Sequence, residues 1–368
     1  MNVKQRIAWY FLHLFWLFPI KKNRISFLCY GCKQYSCNPK YISEYLYKHY
    51  KNEFELIWYY DDKKMKKLIP KSVKAYKKNS ILYFYSLLTS RIVISNMTLP
   101  RIVPFRVGQL KINTWHGTAF KGDNNKNKNN YNMFDVFLAE NELSSEVFRK
   151  PDSFAFSGKI WKIGMPRNDI LIAGSSELTQ KIKTNLGINM QDKVVLYAPT
   201  FRDTTFSKYE DIDSDRLLIS LMNRFGGQWK LLYRIHHMQK GTICPKDGID
   251  VTDYPDMQEL LLISDVLITD YSSSMWDFSL TGKPVMLYVP DLEEYIREER
   301  GEFFYPFSKL PFLIVQNNHE LSEVISSFDS DLYIKKCAGY YEAYGRSNYN
   351  GDATRKFVKL LKNEIGGL

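Results

Sequence analysis

The chain has 368 residues, too many for one ordinary hydrophobic core and about right for two domains of typical size. Apolar residues make up 45% and charged residues 25%, which excludes a disordered chain. The net charge of +11 favours partners that carry phosphate, and no zinc-finger, ribonucleoprotein or basic-region pattern in the sequence directs that charge to nucleic acid.

Residues 7–20 read IAWYFLHLFWLFPI, an aromatic-rich apolar run flanked by Lys4, Arg6, Lys21, Lys22 and Arg24. It is too short to span a bilayer and has no small-residue cleavage site, so neither a transmembrane helix nor a signal peptide is expected. Trp9 and Trp16 suit the headgroup region. Residues 1–23 therefore read as an amphipathic helix on an anionic membrane surface, or as a first helix packed on the next domain, or both. Of the five cysteines, Cys29, Cys32 and Cys37 cluster, but no fourth ligand follows at zinc spacing. An odd, unpaired set fits reduced thiols, and no metal site is expected.

Strand-like runs then alternate with helical patterns. Residues 25–30, 54–62 and 91–96 read as strands, with helical spacing between them at 39–50 and 79–90. Residues 110–117 form a further strand entering a turn, and 133–141 repeat that shape. Residues 122–132 are a polar, low-complexity loop, either a lid or a surface insertion. After a helix opening near Ser175, a second set follows: strands at 193–200, 229–237, 249–254, 265–271 and 283–289, then a helical segment at 351–368. This alternation predicts parallel sheets flanked by helices, with a domain boundary between Asn185 and Lys193.

Four polar motifs stand where the predicted strands end: Trp115-His116-Gly117-Thr118, Tyr197-Ala198-Pro199-Thr200, Arg234-Ile235-His236-His237 and Asp270-Tyr271-Ser272-Ser273-Ser274. Open parallel sheets bind ligands beyond the carboxyl ends of their strands, which groups the four together. His116 is either a structural histidine or a general base near neutral pH. In extended geometry Arg234 and His236 point the same way, as a diphosphate clamp or an ordinary basic strand end. Ser272, Ser273 and Ser274 precede a helix starting near Met275, as a phosphate site or as simple caps. Asp277 either reaches ribose hydroxyls or favours the helix dipole, and Asp270 is a candidate for orienting a neighbour. Thr200 and Arg300 are further candidates for donor phosphate, although acidic neighbours give Arg297 and Arg300 a surface-pairing alternative. Lys121 and Arg202 complete the set. The sequence carries no Gly-rich dinucleotide or Walker loop, no H-E-x-x-H, no Asp-x-Asp and no serine-hydrolase elbow.

These motifs resemble the CDP-glycerol glycerophosphotransferases of teichoic acid synthesis and their ribitol-phosphate relatives. The resemblance runs from about Ile25 to Leu361 through SCNPKYISEYL, INTWHGTAFK, KIGMPRNDIL, VLYAPTFRD and, most specifically, DVLITDYSSSMWDF followed by GKPVMLYVPDLEEYIREERGEFF. It implies a GT-B-like fold of two Rossmann-like parallel-sheet domains, at 24–188 on the acceptor side and 189–368 on the CDP-donor side, with the active site between them. It also implies a peripheral enzyme on the cytoplasmic face of the membrane. The family's two functional histidines fall on His116 and His236, its arginine on Arg234, and its donor contacts on Ser272, Ser273, Ser274 and Asp277. Three departures stand out: Ala119 and His237 each replace a proline, and the Asn-rich insertion follows Lys121.

The implied reaction moves a polyol phosphate from CDP-glycerol or CDP-ribitol to a lipid-linked or polymeric glycan, in teichoic acid or capsule synthesis, with release of CMP and no cofactor. His116 is the expected base; His236 and Arg234 neutralise the leaving phosphate. The alternatives are a GT-B glycosyltransferase using a CMP- or UDP-sugar and a non-catalytic module that binds membrane or anionic polymer.

Overall fold

The apolar runs emerge as strands of two separate parallel sheets. The computed structural model describes residues 3–120, 128–200, 211–235, 248–300, 303–343 and 350–366. In the first sheet the strands are β1 (Lys21–Leu28), β2 (Glu55–Tyr60), β3 (Lys74–Lys77), β4 (Ser90–Ser95), β5 (Leu110–Asn113), β6 (Val136–Ala139) and β7 (Lys159–Lys162). Their order is β3-β2-β1-β4-β5-β6-β7, and neighbours pair in parallel. The second sheet contains β8 (Lys193–Tyr197), β9 (Trp229–Tyr233), β10 (Gly248–Asp250), β11 (Val266–Thr269), β12 (Val285–Tyr288) and β13 (Leu313–Val315). Its order, β10-β9-β8-β11-β12-β13, repeats the first pattern, again with parallel neighbours. Both are doubly wound sheets, and the chain reverses direction across the sheet between β1 and β4 in one and between β8 and β11 in the other.

Strands buried on both faces explain why the sequence reads as unbroken apolar runs rather than alternating ones. In the second sheet Val194 and Leu196 join one core with Leu232, Leu267 and Leu287. Val195 and Tyr197, one residue out of step, join the opposite core with Leu231, Tyr233 and Ile268. Side chains alternate across a strand, so the two cores lie on opposite faces. Each fully buried aliphatic or aromatic side chain contributes about 1.5–3 kcal/mol. The edge strands differ. β3 reads KAYK and β7 reads KIWK, short and lysine-flanked, as protected sheet edges are.

Packing divides the chain differently from the boundary expected near residue 188. The first compact unit comprises Met1–His116, Asn125–Asp169 and Ser347–Leu368; the second comprises Gly117–Asn124 and Ile170–Arg346. Two helices account for the difference. The helix Ser176–Asn185 buries Ile182 in the second unit's core. The helix Ala353–Glu364 buries Phe357, Val358 and Leu361 in the core of the first. Its amino end is held by Asp169, whose carboxylate accepts from the backbone N–H groups of Ala353 (2.9 Å) and Thr354 (2.8 Å). Burial pushes the Asp169 carboxyl above its usual range, although those hydrogen bonds oppose the shift. The Pro-Arg-Asn-Asp run of the sequence thus serves, at Asp169, as a remote helix cap.

The N-terminal helix Val3–Leu12 continues into a 3-10 turn, His13–Leu17, docked on the first unit. Trp16 Nε1 donates to Pro104 O at 2.9 Å, and the Arg106 guanidinium donates to Trp16 O (2.8 Å) and Phe18 O (2.6 Å). Its outward apolar side chains stay exposed, Phe11 at 66% and Leu17 at 83%. Among the described residues no helix is long and apolar enough to cross a membrane.

Candidate active site

In the first unit, His116 lies just beyond β5, near the reversal point of the sheet. Its Nδ1 lies 2.8 Å from Asn96 O, at the end of β4. A carbonyl only accepts, so Nδ1 carries the proton, and the neutral ring holds its basic lone pair on Nε2. Asn96 is itself fully buried and accepts at Oδ1 from Tyr30 N (2.8 Å), just beyond β1. One asparagine therefore spans the reversal point and orients the imidazole. The ring packs beside Trp115 (centroids 4.3 Å apart) and Tyr30 (5.7 Å). Burial, with the nearby Cys37 and Cys29 thiols adding to it, raises the Tyr30 phenol well above its usual value, so it stands neutral beside His116.

The turn that presents His116 is strained. Trp115 has φ 51°, a left-handed conformation that costs a bulky residue about 1–3 kcal/mol. Asn113 Oδ1 accepts from Trp115 N at 2.8 Å. That bond leaves Asn113 Nδ2 buried with no hydrogen-bond partner among the described residues, a further cost of about 1–3 kcal/mol. Asn38 Nδ2 donates to both Thr114 O (3.0 Å) and Trp115 O (3.1 Å). The Trp115 indole packs against Phe154 (4.8 Å) and Phe148 (6.0 Å), which anchors it in that conformation.

The second unit gathers its polar motifs at the corresponding reversal point. Asp270, 1% exposed, follows β11 and accepts from Thr200 N at 3.0 and 2.9 Å, beyond β8. It also accepts from Tyr271 N at 2.5 Å. Asp270 thus fastens together the two loops that border the crevice of this sheet. Ser274 donates through N (3.3 Å) and Oγ (2.9 Å) to Ser272 Oγ, while Ser273 occupies the N-cap of the helix Ser274–Ser279 without a side-chain capping bond. Gly117 belongs to this unit and runs against the serine loop: a Cβ there would lie 2.3 Å from Ser273 Oγ. Phe120 stacks on Phe303 (5.6 Å, 10°) and lies edge-on to Trp276 (6.0 Å).

Arg234 stands at the end of β9. Its N–H donates to Tyr197 O at 2.9 Å and its guanidinium to Tyr254 O at 2.8 Å. Asp277 is 3% exposed and accepts at Oδ2 from Gln258 Nε2 at 2.9 Å, so it ties its helix to the helix Met257–Ile263. Of the other sequence candidates, Lys121, Arg202, His236 and His237 lie outside the described residues, as does the side chain of Arg300. Sequence reasoning passed over Asn38, Asn96 and Asn113, whose roles come from contacts between distant strand ends. Among the described residues no cluster of three or more His, Cys, Asp or Glu could hold a metal ion.

The model of the CDP-Glycerol:Poly(glycerophosphate) glycerophosphotransferase family matches residues 10–362. The chain belongs to this family. It is 32% identical, over 373 aligned positions, to the teichoic acid poly(glycerol phosphate) polymerase of Bacillus spizizenii, covering 94% of this chain and 93% of that one. The corresponding polymerase of Staphylococcus epidermidis is 31% identical over 94% of this chain, which spans only 51% of that longer relative. Among solved structures, a histidine-to-asparagine variant of the wall teichoic acid polymerase TagF soaked with CDPG superposes with a TM-score of 0.83. It is 29% identical, with 99% of this chain and 98% of that one covered. The glycerophosphotransferase fold is thus the fold of this chain.

Proposed function

We propose that the chain transfers glycerol phosphate from CDP-glycerol to a hydroxyl of a lipid-linked or polymeric glycan and releases CMP. The acceptor oxygen attacks the phosphorus that bears glycerol. The bond from that phosphorus to the oxygen bridging to CMP breaks, and the acceptor proton passes to Nε2 of His116. The observation that carries this reading is the Nδ1 contact of His116 with Asn96 O, which supplies a base of fixed tautomer in a chain of this family. The serine loop at Ser272–Ser274 is assigned to the donor phosphates, with Arg234, Thr200 and, from the sequence alone, His236 and Arg300. Asp277 reaches the ribose only if its bond to Gln258 is exchanged, so we assign it to the scaffold of the site. Neither metal nor cofactor enters this scheme. The exposed apolar face of the N-terminal segment, with Lys4, Arg6, Lys21 and Lys22 around it, supports attachment to an anionic leaflet at the cytoplasmic face.

The experiment is thermal stabilisation by CDP-glycerol, CDP-ribitol, CMP and UDP-glucose, followed by CMP release with acceptor. A donor at 100 times its Kd adds about 2.7 kcal/mol of stability. Stabilisation by CDP-glycerol above the rest supports the reading. A response confined to UDP-glucose makes the chain a sugar transferase, and no response to any nucleotide makes it a binding module.

A further inference from the structure

Asn38 is fully buried at the start of the helix Cys37–Tyr50, 78 positions before His116; it lies within the SCNPKYISEYL segment, where its type and spacing alone suggest no role at the site. Every polar atom of its side chain is engaged around the turn that carries the imidazole. Nδ2 donates to Thr114 O (3.0 Å), Trp115 O (3.1 Å) and, more weakly, Met165 Sδ (3.5 Å); Oδ1 accepts from Arg167 N (3.1 Å). Thr114 and Trp115 are the two residues directly before His116, and Trp115 is the one held at φ 51°. A left-handed conformation of a bulky residue persists only where its surroundings over-determine it. Here the amide clamp on two successive carbonyls meets that requirement from one side, and Asn113 Oδ1 on Trp115 N meets it from the other.

We infer that Asn38 is a positioning residue for the phosphotransfer, acting through His116. It fixes the Thr114–Trp115 backbone, which fixes the direction of the imidazole, and so keeps Nδ1 within reach of Asn96 O and the lone pair on Nε2. The inference rests on the reading of His116 as the base. Asn38→Asp is the informative substitution. It preserves the shape and the acceptor for Arg167 N, but a carboxylate cannot donate to two carbonyls.

The test has two independent arms. In the first, the ring nitrogen shifts of His116, assigned by their loss in His116→Gln, are recorded above the pH at which the ring is charged. The native protein is expected to show the Nδ1–H tautomer alone, and Asn38→Asp a mixture of tautomers. In the second, CMP release from CDP-glycerol is measured with a glycerol-phosphate oligomer as acceptor. Asn38→Asp is expected to lower kcat by about 100-fold, the usual consequence of misplacing a reacting group by an ångström, with KM for CDP-glycerol unchanged. In a His116→Ala background the same substitution is expected to cost nothing more, because both changes remove one function. A native tautomer in Asn38→Asp, or an equal loss in both backgrounds, overturns the inference. Native turnover by His116→Ala removes the base assignment instead, and the tautomer arm still decides whether Asn38 sets the ring. Should Asn38→Asp not fold, Asn38→Ser, which keeps one short donor and no charge, is read by the same tautomer ratio.

Discussion

Gly117→Ala tests the contact between the turn after His116 and the serine loop. The added Cβ would lie 2.3 Å from Ser273 Oγ and 2.8 Å from Ser273 Cβ, closer than the 3.0 Å that real Cβ atoms respect. Rotation about χ1 of Ser273 moves Oγ away but leaves its Cβ in place, so relief requires backbone movement of several tenths of an ångström. Overpacking of this kind costs about 1–3 kcal/mol. For a unit of this size each kcal/mol lowers the melting temperature by about 2–4 °C, so the expected fall is roughly 2–12 °C. The assay is thermal denaturation of Gly117→Ala, Ser273→Gly and the double variant. Ser273→Gly removes both clashing atoms, and because glycine is tolerated at an N-cap it should itself cost only about a few tenths of a kcal/mol. The double variant should therefore melt above Gly117→Ala. If Gly117→Ala melts with the native protein, or if the two changes simply add, the close approach is not as described and the reasoning fails.

His116→Ala should lower kcat for CMP release by about 100- to 10,000-fold while leaving CDP-glycerol stabilisation in thermal shift intact. Asp169→Ala removes the acceptor for two helix N–H groups and should cost about 0.5–2 kcal/mol in chemical denaturation, with little effect on donor affinity. Glu55 gives a pH signature. Burial raises its carboxyl, but hydrogen bonds and charge from Arg24 (2.8 Å) and Lys74 (2.6 Å) outweigh that and hold it at about 2, below the ordinary 4.5. A depressed acid contributes stability above its unfolded value and loses it as pH falls towards the folded one. The melting difference between the native protein and Glu55→Gln should therefore be full at pH 6 and shrink between about pH 4.5 and 2; a constant difference across that range would show the pair to be without effect.

Much of the fold was legible because doubly buried strands give continuous apolar runs. β2, β8, β9, β11 and β12 fall within runs read directly from the sequence, β4 overlaps the run at 91–96, and β1 overlaps the run at 25–30 but begins four residues earlier, at Lys21. The strands that escaped reading were β3, β7 and β13, each at the edge of a sheet. An edge position buries less, so KAYK and KIWK carry lysines and no apolar run, and β13 is only three residues long. The helix at 353–364 was legible as a helix but not as part of the first unit, since amphipathicity reports that a face is buried and not what covers it. At the candidate site, residue types at strand ends pointed to His116, Arg234 and the serines. Asp277 carried the same local signal, yet its Oδ2 lies 2.9 Å from Gln258, a contact across helices that spacing cannot show. The asparagines were silent for the same reason: Asn38 reaches Thr114 and Trp115 across more than 70 intervening positions.

The cap on the helix Ala353–Glu364 bears on the order in which the protein is built. Asp169 and Ala353 are 184 positions apart, so a ribosome translates the whole second sheet before the first unit receives the helix that covers Trp161. Until then the patch later covered by Phe357, Val358 and Leu361 faces water on the nascent chain, where exposed apolar surface invites aggregation or chaperone capture. The second unit, contiguous over Ile170–Arg346 apart from the short Gly117–Asn124 stretch, has all its residues earlier. Vectorial synthesis therefore favours completion of the later half of the sequence first, and the amino-terminal half matures only when its distant closing helix arrives.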